Sequence, residues 1–236
     1  VGNGTLTLKN FRKKCKKRDV VLIGISSSSC AKCAFVESEY SLAMESLSRL
    51  KVPFYRIDAS KDSELVDELG VKDLPKVVSV WEKGRKKRIF TGIQKKEAIV
   101  GYALKLKSSS SHLIQEAHDL DKFFADSVFP SFDKTVVLSI GIFEKPGKHE
   151  DEFEDFKEGC EDIKPTEQIF CLHVFAPISK EILQLSNLNS FPVVITVRFE
   201  KSATWWSQKE TGSLLERIFA VYEEEKRNSR YMTIAS

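Results

Sequence analysis

Two cysteines separated by two residues, Cys30 and Cys33, are the side chains of this sequence whose type and spacing point most directly to chemistry. They follow an apolar run at residues 20–23 and a polar serine loop, and a helical pattern continues after them. A thiol at a helix amino terminus meets backbone N–H groups and the positive end of the helix dipole, which favour the thiolate. The second thiol can then attack a mixed disulfide formed at the first. The spacing therefore predicts dithiol–disulfide exchange, with Cys33 resolving what forms at Cys30.

Lys32 lies between the two cysteines and adds a positive charge that favours the thiolate. Two other interpretations of the pair stay open. One is half of a zinc site, for which no second close Cys or His pair lies at the usual spacing. The other is a purely structural disulfide or two idle thiols. The four His residues are isolated in the sequence, so we expect no metal site and no cofactor.

Strands and helices alternate in the predicted first half of the chain. Strands are predicted at residues 6–8, 20–23, 53–58, 77–81 and 88–91, and helices at 11–17, 31–50, 63–69 and 95–106. Such alternation implies a central sheet with parallel members and helices on both faces.

The second half repeats this order of elements. Helices are predicted at residues 118–125, 152–163, 180–185 and 214–222, and strands at 135–143, 168–175 and 192–199, the last one opening a hairpin to Trp205-Trp206. An internal duplication is the economical explanation, and it predicts two copies of one fold.

Charge and composition support two units. The net charge of +3 divides into +11 for residues 1–107 and −8 for the remainder, and four serines at 108–111 offer no apolar face. We therefore predict domains at 1–107 and 113–236, joined by a linker at 108–112.

Composition also excludes some classes of protein. With 42% hydrophobic residues the chain is not intrinsically disordered, and no apolar run approaches the roughly 18 residues that cross a bilayer. Basic clusters at 12–18 and 85–88 lack interleaved aromatics, so we interpret them as solvated faces and expect no nucleic-acid partner. The start at Val1 favours a processed or excised piece of a longer chain.

The other three cysteines receive structural interpretations. Cys160 lies on an apolar helix face and Cys171 in an apolar strand, so both are predicted to pack as small buried hydrophobes rather than to act in redox chemistry. Cys15, between two lysines, is predicted to be an isolated surface thiol without a role.

Residues 1–107 resemble the thioredoxin superfamily and, within it, the protein disulfide isomerase family. The resemblance rests on the apolar run before Cys30-Ala-Lys-Cys33, on Tyr55-Arg-Ile-Asp-Ala59, on Leu69-Gly-Val-Lys-Asp-Leu-Pro75 and on Phe90-Thr-Gly92. It implies a cis proline at Pro75 opposite the cysteine pair, with Leu74 and Pro75 binding substrate. The second half is similar in pattern only, like the b-type domain that follows an a-type domain. The predicted fold class is thus α/β, with two tandem thioredoxin-like domains, each a central mixed β-sheet flanked by helices.

The resemblance also implies a function. It is that of a protein thiol–disulfide oxidoreductase or isomerase with weak turnover, acting on folding, secreted or disulfide-containing polypeptides, with glutathione as a redox buffer. The implied location is the endoplasmic reticulum lumen or the secretory pathway, with which a glycosylation sequon at Asn3 agrees.

Several positions depart from the family pattern. Gly24 occupies the position at which the family has a buried acid, and Arg56 occupies the position of that acid's Lys partner. Gln94 occupies the position of an expected Arg. Ser29 replaces an aromatic residue before the first cysteine, and Ser38 replaces a proline in the following helix. Arg56 is therefore predicted to lack an acidic partner, and a glutamate placed at position 24 is expected to restore proton transfer at Cys33. The competing hypothesis is a redox-weak chaperone or polypeptide-binding module, with contacts from the second domain or its Trp pair.

Overall fold

The chain forms two compact units, Val1–Ser108 and Ser109–Ser236, in a computed structural model that describes residues 6–128, 135–186 and 190–200. Each unit contains its own four-stranded sheet with parallel and antiparallel pairs, flanked by helices. The predicted fold class is confirmed. Across these described ranges, no helix combines the length and the apolarity that a bilayer crossing requires.

The first unit is built around one central strand. Its elements are α1 Leu8–Cys15, β1 Val20–Ser26, α2 Glu37–Arg49, β2 Phe54–Asp58, α3 Ser63–Leu69, β3 Lys76–Trp81, β4 Lys86–Phe90 and α4 Lys96–Lys107. The sheet order is β2-β1-β3-β4, in which β1 pairs parallel with β2 and antiparallel with β3. All seven residues of β1 are buried, because its apolar side chains alternate between two hydrophobic clusters, one containing Leu22 and the other Ile23.

The amino terminus of this unit differs from the prediction. No strand forms at residues 6–8; instead α1 begins at Leu8, and the sheet lacks its predicted first strand. The reason is a local cap, in which the Thr7 N–H donates to Asn10 Oδ1 at 3.0 Å. Leu6 and Phe11 are buried beside this cap in the core. Leu6 is therefore buried just before α1, and Phe11 is buried on the face of α1 that packs into the core.

Cys15 also lies in that core, so its predicted exposure is wrong. Only 1% of the residue is accessible, and burial raises the pKa of its thiol to about 11. The thiol is therefore protonated and inert at neutral pH, although its sequence neighbours are lysines.

The described part of the second unit repeats the architecture. Its elements are β5 His112–Ile114, α5 Ala117–Phe123 with a π-helical turn Phe124–Val128, β6 Thr135–Ile142, α6 Glu150–Ile163, β7 Ile169–Val174, α7 Ile178–Ser186 and β8 Val193–Glu200. The sheet order is β5-β7-β6-β8. The strand β5 was not predicted. Ser111 was predicted to lie in a linker, but it belongs to this unit. It is buried and shares a hydrogen bond with His173 Nδ1 at 2.8 Å. The Trp205-Trp206 hairpin and the helix predicted at 214–222 lie outside the described residues.

Cys160 and Cys171 are buried as predicted, but they are not free. They form a disulfide that joins α6 to β7 across a Cα–Cα distance of 6.0 Å. The sequence pattern showed the apolar setting of each thiol and missed their pairing, because the contact depends on how the helix lies against the strand.

Candidate active site

The cysteine pair lies where the central strand β1 gives way to helix. Beyond Ser26 the chain turns through Ser27 and Ser29, whose hydroxyls share a hydrogen bond at 2.9 Å. The Cys30 N–H donates to the Ser27 carbonyl at 3.1 Å, which fixes Cys30 at the start of a 3₁₀ turn, Ala31–Phe35. The predicted long helix is therefore divided: α2 begins only at Glu37, after Val36 closes the turn by donating its N–H to the Cys33 carbonyl.

Cys30 and Cys33 form a disulfide with a Cα–Cα distance of 5.3 Å. Cys30 is half-buried, whereas Cys33 is 1% exposed, so the predicted difference in accessibility is confirmed. Lys32 is exposed at the outer side of the turn. Cys30 is therefore the more accessible residue of the pair.

Pro75 lies at the entrance to the neighbouring strand. The Leu74–Pro75 peptide bond is cis, which confirms that prediction. The next residue, Lys76, pairs with Ile25 near the end of β1, so the half-buried Leu74 and Pro75 lie beside the strand end that leads to Cys30. The second unit has a cis bond before Pro192 at the corresponding entrance to β8.

Gly24 has no room for an acid. A Cβ there would lie 2.8 Å from Phe54 Cζ and 2.9 Å from Tyr40 Cδ2, because two aromatic rings occupy the space. A glutamate at position 24 would therefore have to displace one of these rings, which argues against the expectation that it would restore proton transfer. The Tyr40 hydroxyl donates to Gln94 Oε1 at 2.9 Å, so the residue found in place of the expected Arg serves as an acceptor for the buried tyrosine.

Arg56 does have an acidic partner, contrary to the prediction from sequence. Its guanidinium forms an ion pair with the Glu37 carboxylate, and the Ser26 hydroxyl donates to Glu37 Oε1 at 2.7 Å. Sequence reasoning missed Glu37, because its ion pair with Arg56 depends on how α2 lies against β2.

These groups line one cavity of about 660 Å³ beside the disulfide. The residues lining it include both cysteines, the Glu37–Arg56 pair, Asp58, Lys61 and Asp62. Within the described ranges, no three His, Cys, Asp or Glu side chains converge as metal ligands. The arrangement provides an accessible sulfur, a buried sulfur and charged groups that can exchange protons with solvent next to them.

Comparison with known proteins identifies the class to which this site belongs. Residues 3–105 match the family model described as Thioredoxin, so the first unit is similar to that family. The strand, the cysteine pair and the cis proline described above all lie within the matched residues.

Individual relatives add detail to this assignment. The chain is 25% identical over 122 residues to a protein disulfide-isomerase of Arthroderma benhamiae, a match that covers 50% of this chain and 23% of the relative. The first two thioredoxin domains of Saccharomyces cerevisiae Eps1p superpose with a TM-score of 0.52 at 16% identity, covering 86% of this chain and 89% of that one. Human ERp44 (form II) gives a TM-score of 0.48 at 16% identity over 97% of this chain and 58% of its own. The predicted resemblance to the disulfide isomerase family is confirmed.

Proposed function

We propose that this chain is a protein thiol–disulfide oxidoreductase of the disulfide isomerase type, with Cys30 as the attacking thiol and Cys33 as the resolving thiol. The observation that carries the proposal is the Cys30–Cys33 disulfide, which has one accessible and one buried sulfur at a strand-to-helix junction. A merely structural disulfide needs no such difference in access. Exchange chemistry requires one cysteine to be more accessible than the other, because the first bond must form with an outside partner and the second within the protein.

The reduction of a substrate would proceed in two displacements. The Cys30 thiolate attacks one sulfur of a substrate disulfide, forms a mixed disulfide and releases the other substrate sulfur as a thiolate. The Cys33 thiolate then attacks the Cys30 sulfur, restores the Cys30–Cys33 bond and releases the second substrate thiolate. Two electrons pass from the protein dithiol to the substrate; oxidation of a substrate dithiol is the reverse sequence.

Leu74 and Pro75 are proposed to bind the substrate polypeptide, through backbone groups beside the cis bond. Their support is the position of Pro75 next to the end of β1. Lys32 is proposed to stabilise the Cys30 thiolate from the solvent side, which agrees with its exposure.

The endoplasmic reticulum lumen or secretory pathway is the proposed location, with unfolded or disulfide-containing polypeptides as partners and glutathione as the redox buffer. The relationship to a disulfide isomerase supports it. The buried Cys160–Cys171 bond gives independent support, because structural disulfides persist in oxidising compartments. Endoglycosidase treatment of the protein isolated from its own cells tests the location, since transit through the lumen would glycosylate Asn3 and leave an endoglycosidase-sensitive mass.

A second candidate function, a redox-weak chaperone or polypeptide-binding module, is favoured by one observation. Tyr40 and Phe54 fill the space at Gly24, the position at which the family pattern has a buried acid. A protein of this kind would keep the fold and hold polypeptides with little turnover.

An insulin-reduction assay separates the two functions. Wild type should accelerate the precipitation of reduced insulin chains in the presence of a dithiol, and Cys30→Ser should abolish the acceleration. Cys15→Ala is the matched control, because it removes a cysteine that lies in the core away from the pair. Equal, low rates for wild type and Cys30→Ser, together with suppressed aggregation of a denatured client, would establish the binding module instead.

A further inference from the structure

Cys33 needs a proton acceptor that the core does not supply. In the reduced protein its thiol must ionise before it can attack the Cys30 sulfur, because the thiolate is the nucleophile. The residue is 1% exposed, and position 24, where the family pattern has an acid, is a glycine. Its access to solvent is the cavity that it lines together with Cys30, so the acceptor must also border that cavity.

Three carboxylates line the cavity: Glu37, Asp58 and Asp62. Asp58 accepts hydrogen bonds from the Ser60 hydroxyl at 2.7 Å and the Ser60 N–H at 3.1 Å, which lower its pKa, and it is the last residue of β2, outside the segment that carries the cysteines. Asp62 belongs to the start of α3, far in sequence from the cysteine turn. Glu37 is the first residue of α2, four residues after Cys33, and only the end of the 3₁₀ turn and Val36 separate them along the chain.

The Glu37 carboxylate is also held in a defined orientation. Ser26, the last residue of β1, donates to one carboxylate oxygen, and Arg56 of β2 pairs with the other. Arg56 reaches Ser41 Oγ as well, at 3.5 Å. Both partners of the ion pair stay partly accessible, with 41% of the Glu37 and 36% of the Arg56 side chain exposed, so protons can exchange with bulk solvent. The charged groups facing Glu37 across the cavity are Arg56, Lys61, Asp58 and Asp62.

We propose that Glu37 is the proton acceptor and donor for Cys33, acting through water in the cavity, with Arg56 and Ser26 as positioning residues. The inference rests on the proposed exchange function. The proposed acid is therefore at the start of α2, where it lines the cavity, and not within the buried strand β1.

Resolution by Cys33 involves the transfer of one proton and the displacement of one sulfur by another. The Cys33 thiol proton passes by way of water to the Glu37 carboxylate, the Cys33 thiolate attacks the Cys30 sulfur of the mixed disulfide, and the bond from Cys30 to the substrate sulfur breaks. The substrate leaves as a thiolate carrying the electron pair of that bond. The proton on Glu37 then returns to solvent or to the departing sulfur.

Stopped-flow reaction of the reduced full chain with dithiobis-nitrobenzoate separates the two displacements, because each one releases an absorbing thiolate. The first phase reports attack by Cys30, and the second phase reports resolution by Cys33. A Cys30→Ser/Cys33→Ser double variant supplies the background from other thiols. The variants compared are Glu37→Gln, which keeps an acceptor for Ser26, and Asp62→Asn, the matched loss of a carboxylate from the same cavity.

We expect Glu37→Gln to leave the first phase unchanged and to slow the second about 100-fold at pH 7, the lower end of general acid–base contributions. The deficit should shrink as the pH rises, because an increasing fraction of the Cys33 thiol then ionises without an acceptor. Asp62→Asn should match wild type in both phases. A merely structural role for Glu37 would slow both phases, or would slow the second equally at every pH.

Two results would overturn the proposal, for different reasons. An unchanged second phase in Glu37→Gln, with a normal first phase, removes Glu37 from proton transfer and leaves the exchange function intact. A wild-type trace no different from the double-variant background refutes the exchange function itself, and the role of Glu37 with it.

Discussion

Replacing Gly24 by alanine tests why this site lacks a buried acid. In a strand, alanine is ordinarily favoured over glycine by about 0.5–1 kcal/mol, because glycine loses more conformational entropy on folding. Here the added Cβ would lie 2.8 Å from Phe54 Cζ and 2.9 Å from Tyr40 Cδ2, closer than van der Waals contact. Overpacking of this kind costs about 1–3 kcal/mol. The clash outweighs the entropic gain, so Gly24→Ala should lower the free energy of unfolding of the first unit by about 1–2 kcal/mol.

Urea denaturation followed by Trp81 fluorescence measures this effect. Trp81 is at the end of β3, packed against the cluster that contains Tyr40 and Phe54, so it reports the first unit once Trp205 and Trp206 are changed to Phe. Phe54→Leu removes the atom nearest to the new Cβ, and in that background Gly24→Ala should cost less, with a coupling free energy of at least about 0.5 kcal/mol. If Gly24→Ala instead stabilises the unit, the space is open to a side chain and the steric explanation is wrong.

Further predictions concern cysteine and histidine groups outside the active pair. Removing the second disulfide with Cys160→Ala/Cys171→Ala should lower the free energy of unfolding of the second unit by about 3 kcal/mol, as expected for a loop with a sequence separation of 11. An unchanged urea midpoint for that unit would contradict this. Cys15, whose pKa burial raises to about 11, should resist iodoacetamide at pH 8 in the native protein and react once it unfolds; stoichiometric native labelling would show that it is accessible. Burial, Lys157 and His112 lower the pKa of His173 to about 4, below its unfolded value of about 6.5. As the pH falls from 6.5 to 4, the unfolded state therefore binds the proton first, and the free energy of unfolding should decrease. The decrease should be smaller in His173→Phe than in wild type. Parallel pH curves for the two proteins would exclude this titration.

The parts of the fold that were predictable from sequence are those with a strong local pattern. The continuous apolar run of β1 indicated a strand buried on both faces, and Ser63–Leu69 ends at Gly70, which adopts φ +75°, as the helix-then-glycine pattern predicted. The cysteine pair was identified for the same reason, because its chemistry depends on residues three apart. The strand predicted at 6–8 failed because a capping interaction from Thr7 outweighed a short β-like pattern.

The features that sequence missed all depend on contacts between distant segments. The ion pair of Glu37 with Arg56 brings the start of α2 to β2, and no local pattern specifies that meeting. The space at Gly24 is filled by rings from two other elements, Tyr40 of α2 and Phe54 of β2. A family pattern shows which residue type is absent at a position, whereas the packed structure shows which side chains occupy the space.

The most direct test of the account is to trap the exchange intermediate. Reduced Cys33→Ser, mixed with an unfolded polypeptide that carries disulfides, should accumulate a mixed disulfide through Cys30, because the resolving thiol is absent. Mass spectrometry of the acid-quenched complex should place the cross-link at Cys30, and Cys30→Ser should give none. A cross-link through Cys33 in Cys30→Ser at an equal rate, or no cross-link in Cys33→Ser, would contradict the assignment of Cys30 as the accessible attacking thiol.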